Sequence, residues 1–496
     1  MTVKLDLSIL RYFVVLLITF CTIHVNGQTN FQAINFYGKV HEKGKGIPGV
    51  PVTDGLSIVL TDEEGNYTLS SNAFGEFIYI TIPSGYNIQI KNNSPYFFRH
   101  IEDKKTAKQK FDFELEKSPY DDNTHTVIVC ADPQVAFDEE LPILQGVIDD
   151  MQTVTEYYTK YNPVFGIVCG DIIAEIEREP KYLSLVKKMF NDTGSPFFYV
   201  AGNHDMDVSG RSNYRSKKTY ENNFGPTYYS FNRGKVHYVM LDNVFFTGRS
   251  YGYIGYLDEV QLSWLEQDLA LVPEGSTVIM TMHIPTYSRE ARRGEYGKEE
   301  INKVLQNRRA LYEILEPYNV HIMSGHEHYN ENYVISSHIF EHVHAALSGI
   351  FWQAPYSSDG TPLGYSVYEI DGNDIQWYYK VAGKDKNVQF NAYSPGADKN
   401  KPDAIIANVW NYDSEWKVYW YENGERVGEM TRYTGWDPAI VNYVENNNHN
   451  FRYQYIGAGP TDHLFYAIPL NKTSEIEIKV VDRFNNTYIK KPMKTI

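Results

Sequence analysis

Five short segments carry side chains able to hold metal ions or move protons: Ala131-Asp132-Pro133-Gln134, Gly170-Asp171, Gly202-Asn203-His204-Asp205, Met282-His283 and Gly325-His326-Glu327-His328. Asp and His supply anionic oxygen and imidazole nitrogen, and Asn and Gln supply amide oxygen. Such mixed donors suit manganese, iron or zinc better than an all-thiolate structural site does. Two divalent ions close together need a bridging carboxylate, and Asp171, behind a strand-like run and a glycine, suits that role. A two-metal site lowers the pKa of bridging water and clamps the attacking and departing oxygens of an in-line displacement. A phosphoryl group, whose peripheral oxygens carry charge throughout, profits most. His204 adjoins Asn203, so it need not be a ligand and can protonate a departing alkoxide, a task for a group titrating near neutrality. Asp205 or Glu175 could orient that imidazole. His328 lies two residues from His326, so both reach one pocket only if the turn between them is sharp.

The elements that must position these residues are visible as apolar runs. Val127–Cys130, Phe165–Cys169, Phe197–Val200, Val278–Thr281 and Val320–Met323 each precede one segment, and in open α/β sheets ligands gather beyond the carboxyl ends of strands. From about Asp122 such runs alternate with helical ones: Leu141–Tyr158, Lys181–Asn191, Asp258–Leu271 and Glu299–Tyr318. Leu144, Val147, Ile148 and Met151 keep a helical spacing, and the alternation implies an α/β core. Tyr228–Phe231 and Val236–Asp242 form a hairpin pattern around Asn232-Arg233-Gly234.

The flanks are different. Residues 28–118 read as all-β, with short runs Phe36–Val40, Val50–Val52, Ser57–Leu60, Tyr67–Ser70 and Phe77–Ile82 between turn signals. The stretch Gly46–Val52 followed by Thr61–Tyr67 resembles transthyretin-like, carboxypeptidase-regulatory-like sandwiches. After about Ile350 β character returns with six of the seven tryptophans, and Asn423-Gly424 offers a tight hairpin turn. Trp416 and Trp420 are expected in a sandwich core, the sharper alternative being a glycan-binding platform. Expected boundaries are 1–27, 28–118, 119–350 and 351–496.

Lys4 and Arg11 flank an apolar amino-terminal run, and Val25-Asn26-Gly27 precedes polar Gln28, the pattern of a secretory signal peptide cleaved near Gly27. Secretion or placement in the cell envelope is therefore expected, with no transmembrane segment after processing. The formal charge of −16 at pH 7 argues against nucleic acid as the principal partner. Cys130 and Cys169 remain after processing; free buried thiols are favoured over a disulfide between neighbouring strands.

In order, the segments resemble the motif series of the calcineurin-like metallophosphoesterase superfamily, over about residues 122–350. That resemblance implies a pair of β-sheets flanked by helices. It implies that Asp132, Gln134, Asp171 and His328 bind a first metal, and that Asp171, Asn203, His283 and His326 bind a second. Asp171 would bridge, with metal-bridged hydroxide attacking and His204 as proton donor. The cofactors implied are two divalent ions, of manganese, iron, zinc or magnesium. Gln134 departs from the commonest pattern, which has histidine there; an amide oxygen is a harder donor and biases that site away from zinc. The implied activity is metal-dependent hydrolysis of phosphate mono- or diesters or pyrophosphates, on a small-molecule, lipid or glycan substrate. The alternative is a catalytically weak envelope glycan-binding module on the same scaffold.

Other residues carry weaker expectations. His237, His338, His342 and His344 read as structural, with His342 or His344 also able to line the pocket. Arg289, Arg292 and Arg293, and Arg211, Arg215, Lys217 and Lys218, follow the ligand segments; a solvated loop surface is the larger expectation, and the alternative is that one of these arginines meets a second anionic group of the substrate. Tyr287 could stack on a leaving group.

Overall fold

The computed structural model describes residues 34–71, 75–176, 180–249, 252–289 and 300–493; the expected signal segment lies outside them. Strands β1 (Thr124–Cys130), β2 (Val164–Val168) and β3 (Phe197–Tyr199) run parallel in the order β3-β2-β1. Helices α1 (Leu141–Tyr158) and α2 (Pro180–Asp192) make the crossovers. Side chains alternate across β1. Val127 and Val129 enter the core between two sheets, while Ile128 and Cys130 pack under the helices with Leu144, Val147, Ile148 and Met151. A parallel strand buried on both faces reads as an unbroken apolar run, which is why these strands were visible in the sequence.

The second sheet contains β4 (Tyr229–Arg233), β5 (Val236–Met240), β6 (Thr277–Thr281), β7 (Asn319–Ser324), β8 (Glu331–Val334) and β9 (Ile339–Val343), in the order β4-β5-β6-β7-β9-β8. β5, β6, β7 and β9 are parallel, and the expected hairpin forms the antiparallel β4–β5 pair. Helix α3 (Glu259–Leu269) is capped by Asp258, whose carboxylate accepts the Gln261 N–H. Across the core Phe198 stacks on Phe231 with centroids 3.9 Å apart. The helical run expected over 299–318 is shorter in the structure: α4 spans Arg308–Leu315. Upstream, the backbone is taken by other partners, with Leu305 N–H on Pro285 O and Gln306 N–H on Gly255 O.

The first sheet continues past residue 350. β10 (Gly364–Asp371) lies antiparallel to β1, and β11 (Asp374–Val381) to β10, completing the order β3-β2-β1-β10-β11. The expected boundary at 350 thus cuts the central sandwich. A hairpin's period-two pattern states that it forms a sheet, not which sheet it joins.

Before the core, strands Ile34–Glu42 and Asn66–Ser71 pair in one small sheet, and Pro51–Thr53, Ile58–Leu60, Phe77–Ile80 and Phe98–His100 form another. Phe97 lies 4.6 Å from Tyr229, and one hydrophobic core runs through both regions. After it, two four-stranded antiparallel sheets face each other, and Trp416, Val418 and Trp420 fill the space between them. These tryptophans are core residues and offer no platform to a glycan. Asn423 and Gly424 both have positive φ, 51° and 85°, as a two-residue hairpin turn requires. Cys130 and Cys169 are free, buried thiols. Among the described residues no helix is long and apolar enough to cross a membrane.

Several histidines are structural. His237 spans Asn232 and Asp268 at 2.8 Å each. His342 stacks on His321 and bonds Asn332, and His344 bonds Ser324 O and Tyr368. Burial lowers His125, His321 and His344 to about 4 each. These side chains fold neutral, whereas in the unfolded chain they protonate near 6.5. The unfolded state therefore binds more protons between pH 6.5 and 4, and folding stability falls as pH drops through that window. Chemical denaturation at pH 7, 5.5 and 4.5 should show a midpoint that moves progressively lower. His125→Gln should flatten part of that dependence.

Candidate metal centre

All five ligand-bearing segments lie at the carboxyl ends of strands: Asp132 and Gln134 after β1, Asp171 after β2, Asn203 and His204 after β3, His283 after β6, and His326 and His328 after β7. The two sheets face each other, so these ends meet. Asp132, Asp171 and His328 offer ligand atoms within 4.8 Å of one another. His283 Nε2 lies 3.0 Å from Asn203 Oδ1, 3.4 Å from Asp171 Oδ1 and 3.2 Å from His326 Nδ1. Every residue expected to bind metal is thus in one cluster, with Asp171 common to both halves.

Backbone conformation makes this convergence possible. Asp132, Gln134, Asp171, His326 and His328 all have positive φ, between 43° and 72°. The left-handed region is costly for residues with a Cβ, of order 1–3 kcal/mol each, and persists where the surroundings over-determine it. Here it supplies the sharp turn that brings His326 and His328 to the same pocket. Motif glycines clear the space. A Cβ on Gly170 would sit 2.6 Å from His283 Nδ1, on Gly202 2.1 Å from Asp171 Oδ1, and on Gly325 2.5 Å from Asp132 Oδ2.

The hydrogen bonds leave donor atoms aimed inward. His283 Nδ1 donates to Cys169 O at 2.8 Å, and His326 Nε2 donates to Asn302 O at 2.9 Å, so in the neutral rings His283 Nε2 and His326 Nδ1 hold the lone pairs. Asp132 Oδ2 accepts the His326 N–H, and Gln134 Nε2 donates to Asp171 Oδ2 at 2.9 Å. Asp132 Oδ1 and Gln134 Oε1 are buried and accept no hydrogen bond. Two buried acceptors left open beside a carboxylate and two imidazoles fit divalent cations, because a cation satisfies them without a donor proton. The charge balance agrees. Burial pushes Asp171 up, but His283 and His204 beside it hold it well below the usual carboxylate range. Burial pushes His283 down, but Asp171 raises it to about 9. A bound cation would take over the work of that proton.

Sequence profiles described as calcineurin-like phosphoesterase match residues 125–330, with that family's N-terminal region matching 34–118 and its C-terminal region 341–488. The chain belongs to this family. Its architecture, a central sandwich with companion β regions on either side, is the one expected from the motifs, and the expected class, metal-dependent phosphoric ester hydrolase, is the family's. Purple acid phosphatase 15 of Arabidopsis thaliana is 30% identical over 147 residues, 27% of this chain and 24% of that protein. Purple acid phosphatase 23 of the same plant is 26% identical over 208 residues, 38% of this chain and 42% of that protein. The chain thus spans less than half the length of these curated relatives. A solved purple acid phosphatase from yellow lupin seeds superposes with a TM-score of 0.38 at 13% identity, covering 72% of this chain and 69% of that one.

Several second-rank expectations change. Asp205 does not orient His204: its buried carboxylate accepts the N–H groups of Ile172 and Gly202, tying the turns after β2 and β3 together. Burial and the neighbouring Asp171 raise it to about 7. Lys217, expected on a solvated surface, is instead buried on Asp242 and Val244 O, and Lys218 pairs with Glu76 and Glu221. Tyr287 packs edge-on against Tyr333. Arg289 lies over the Tyr333 ring, while Arg292 and Arg293 fall outside the described residues. Two supports carried no sequence signal. Ser348 Oγ donates to Asp132 O at 2.8 Å, and Trp352 Nε1 donates to Pro133 O at 2.8 Å; both act on backbone, which leaves no side-chain pattern.

Gly202→Ala pushes Asp171 away from its neighbours and should weaken manganese binding at least tenfold in titration calorimetry. Unchanged affinity would show that the glycine makes no room for that carboxylate.

Proposed function

We propose that the protein is a secreted phosphoesterase that hydrolyses phosphate mono- or diesters, or pyrophosphates, on two divalent cations. Asp132, Gln134, Asp171 and His328 would hold the first, and Asp171, Asn203, His283 and His326 the second. The observation that carries this reading is the pair of buried oxygens that accept no hydrogen bond, Asp132 Oδ1, 3.5 Å from His328 Nε2, and Gln134 Oε1, beside a carboxylate common to both proposed sets. Secretion is supported by the amino-terminal apolar run alone. Gln134, in place of the more usual histidine, still offers its amide oxygen, because its NH2 group is occupied by Asp171.

When bound, the cations supply positive charge to the phosphoryl oxygens and acidify water. The chain supplies the rest. Asp171 is buried and anchored by the His204 N–H at 2.8 Å and by the Gln134 amide, so its two oxygens are fixed for both halves of the site. His204 has a side chain 33% exposed, with Nε2 4.0 Å from Asp171 Oδ2. Its imidazole reaches solvent beside the anchored carboxylate, where a proton on Nε2 can pass to the departing oxygen.

The test compares leaving groups on the manganese-loaded protein. His204→Ala should lower kcat about 100-fold or more on an alkyl phosphate, within the range general acids contribute, and much less on p-nitrophenyl phosphate, whose leaving group needs no proton. Equal losses on both would contradict the acid role. Asp171→Asn should abolish turnover of both.

A further inference from the structure

Beside the first ligand set stands an aromatic cluster whose rings come from the segment after the last motif and from the C-terminal region. The Phe351 ring lies 5.4 Å from the His328 ring, Tyr453 lies 5.7 Å from Phe351, and Tyr455 lies 6.3 Å from it. Tyr453 and Tyr455 stack at 5.6 Å with planes 30° apart. Tyr455 is 77% exposed, so the ring that leans on Phe351 and Tyr453 keeps most of its surface open to solvent.

The cluster is held in place from both sides. Phe351 and Trp352 are both left-handed, with φ of 53° and 62°, and neither is glycine. Trp352 is pinned by its N–H on Ser348 O and its indole on Pro133 O, within the first ligand motif itself. Arg452, next to Tyr453, lies 3.5 Å over the Phe137 ring, pairs with Glu139 and Glu140, and donates its backbone N–H to the Gln353 side chain. Phe451 is buried with Ile350, Ala354 and Ile440. Strained backbone that the surroundings over-determine beside a reactive site is a mark of function, and here the strain holds a ring next to a candidate ligand.

We propose that Phe351 and the stacked pair Tyr453 and Tyr455, which stand edge-on to it at 71° and 80°, form an aromatic corner that serves as a platform for a planar aromatic ring carried on the substrate. The platform rests on the phosphoesterase reading, since the phosphoryl group must lie at the cluster around Asp171 for a ring attached to it to reach Phe351 beside His328. Flat π-faces stack without regard to ring substituents, so a nucleobase and a simple aryl group meet the same surface. Tyr455 is exposed and makes no bond that the fold requires among those described, which makes it the sensitive position.

The experiment uses manganese-loaded full-length protein and two non-hydrolysable anions, phenylphosphonate and methylphosphonate, with binding measured by calorimetry. Wild type should bind phenylphosphonate about tenfold tighter, within the range of a single stacking contact. Tyr455→Ala should collapse that ratio toward one, and Tyr455→Phe should restore it. kcat/KM for phenyl phosphate and adenosine 5′-monophosphate, each against glycerol phosphate, should change in the same sense, and whichever keeps the larger ratio identifies the aryl or nucleobase source. Equal binding of the two phosphonates by wild type, or a ratio unaltered in Tyr455→Ala, overturns the platform while leaving the metal centre standing. Failure of both phosphonates to bind, together with no turnover of any ester, overturns the metal-centre reading and the platform with it.

Discussion

Asp171 is a carboxylate taken almost wholly out of water and surrounded by groups that each serve another strand. It accepts the His204 N–H from the turn after β3, faces His283 from the second sheet, and is touched by the Gln134 amide from the turn after β1. Burying a charge without partners costs several kcal/mol, so the fold must deliver those partners to one point. The paired sheets do this by aligning the carboxyl ends of β1, β2, β3, β6 and β7. The same demand explains why glycine stands at 202: a methyl group there would occupy the position of the carboxylate oxygen.

Most of that arrangement was legible in the sequence, because apolar runs buried on both faces announce parallel strands and polar residues directly after them announce strand ends. The expected ligands Asp132, Gln134, Asp171, Asn203, His283, His326 and His328, and the expected proton donor His204, all come together. The left-handed turns at Asp132, Gln134, Asp171, His326 and His328 were not legible. Backbone of that kind is usually signalled by glycine, and here it is imposed on carboxylate, amide and imidazole residues by the contacts around them. The roles of Asp205, Lys217 and Trp352 were hidden for a related reason. Each is decided by a partner remote in sequence, such as Ile172 N–H, Asp242 or Pro133 O.

The C-terminal region is joined to the site more closely than its separate sandwich implies. Strands β10 and β11 complete the first sheet before the chain leaves for that sandwich. Asn330, two residues past His328, donates its N–H to Asp359 and its amide to Trp410 O, and Asp359 is paired with His463. The loop bearing His326 and His328 is therefore braced by residues of the flanking region. This bracing gives that region a physical reason to accompany the central sandwich, and the buried Trp416 and Trp420 give none for glycan binding.

The central claim is that one shared carboxylate organises two cation positions. Elemental analysis of manganese-saturated, desalted protein tests it most directly. Two ions per chain in wild type, falling to one or none in Asp171→Asn, is the predicted result. A single ion per chain that added manganese does not raise would contradict it.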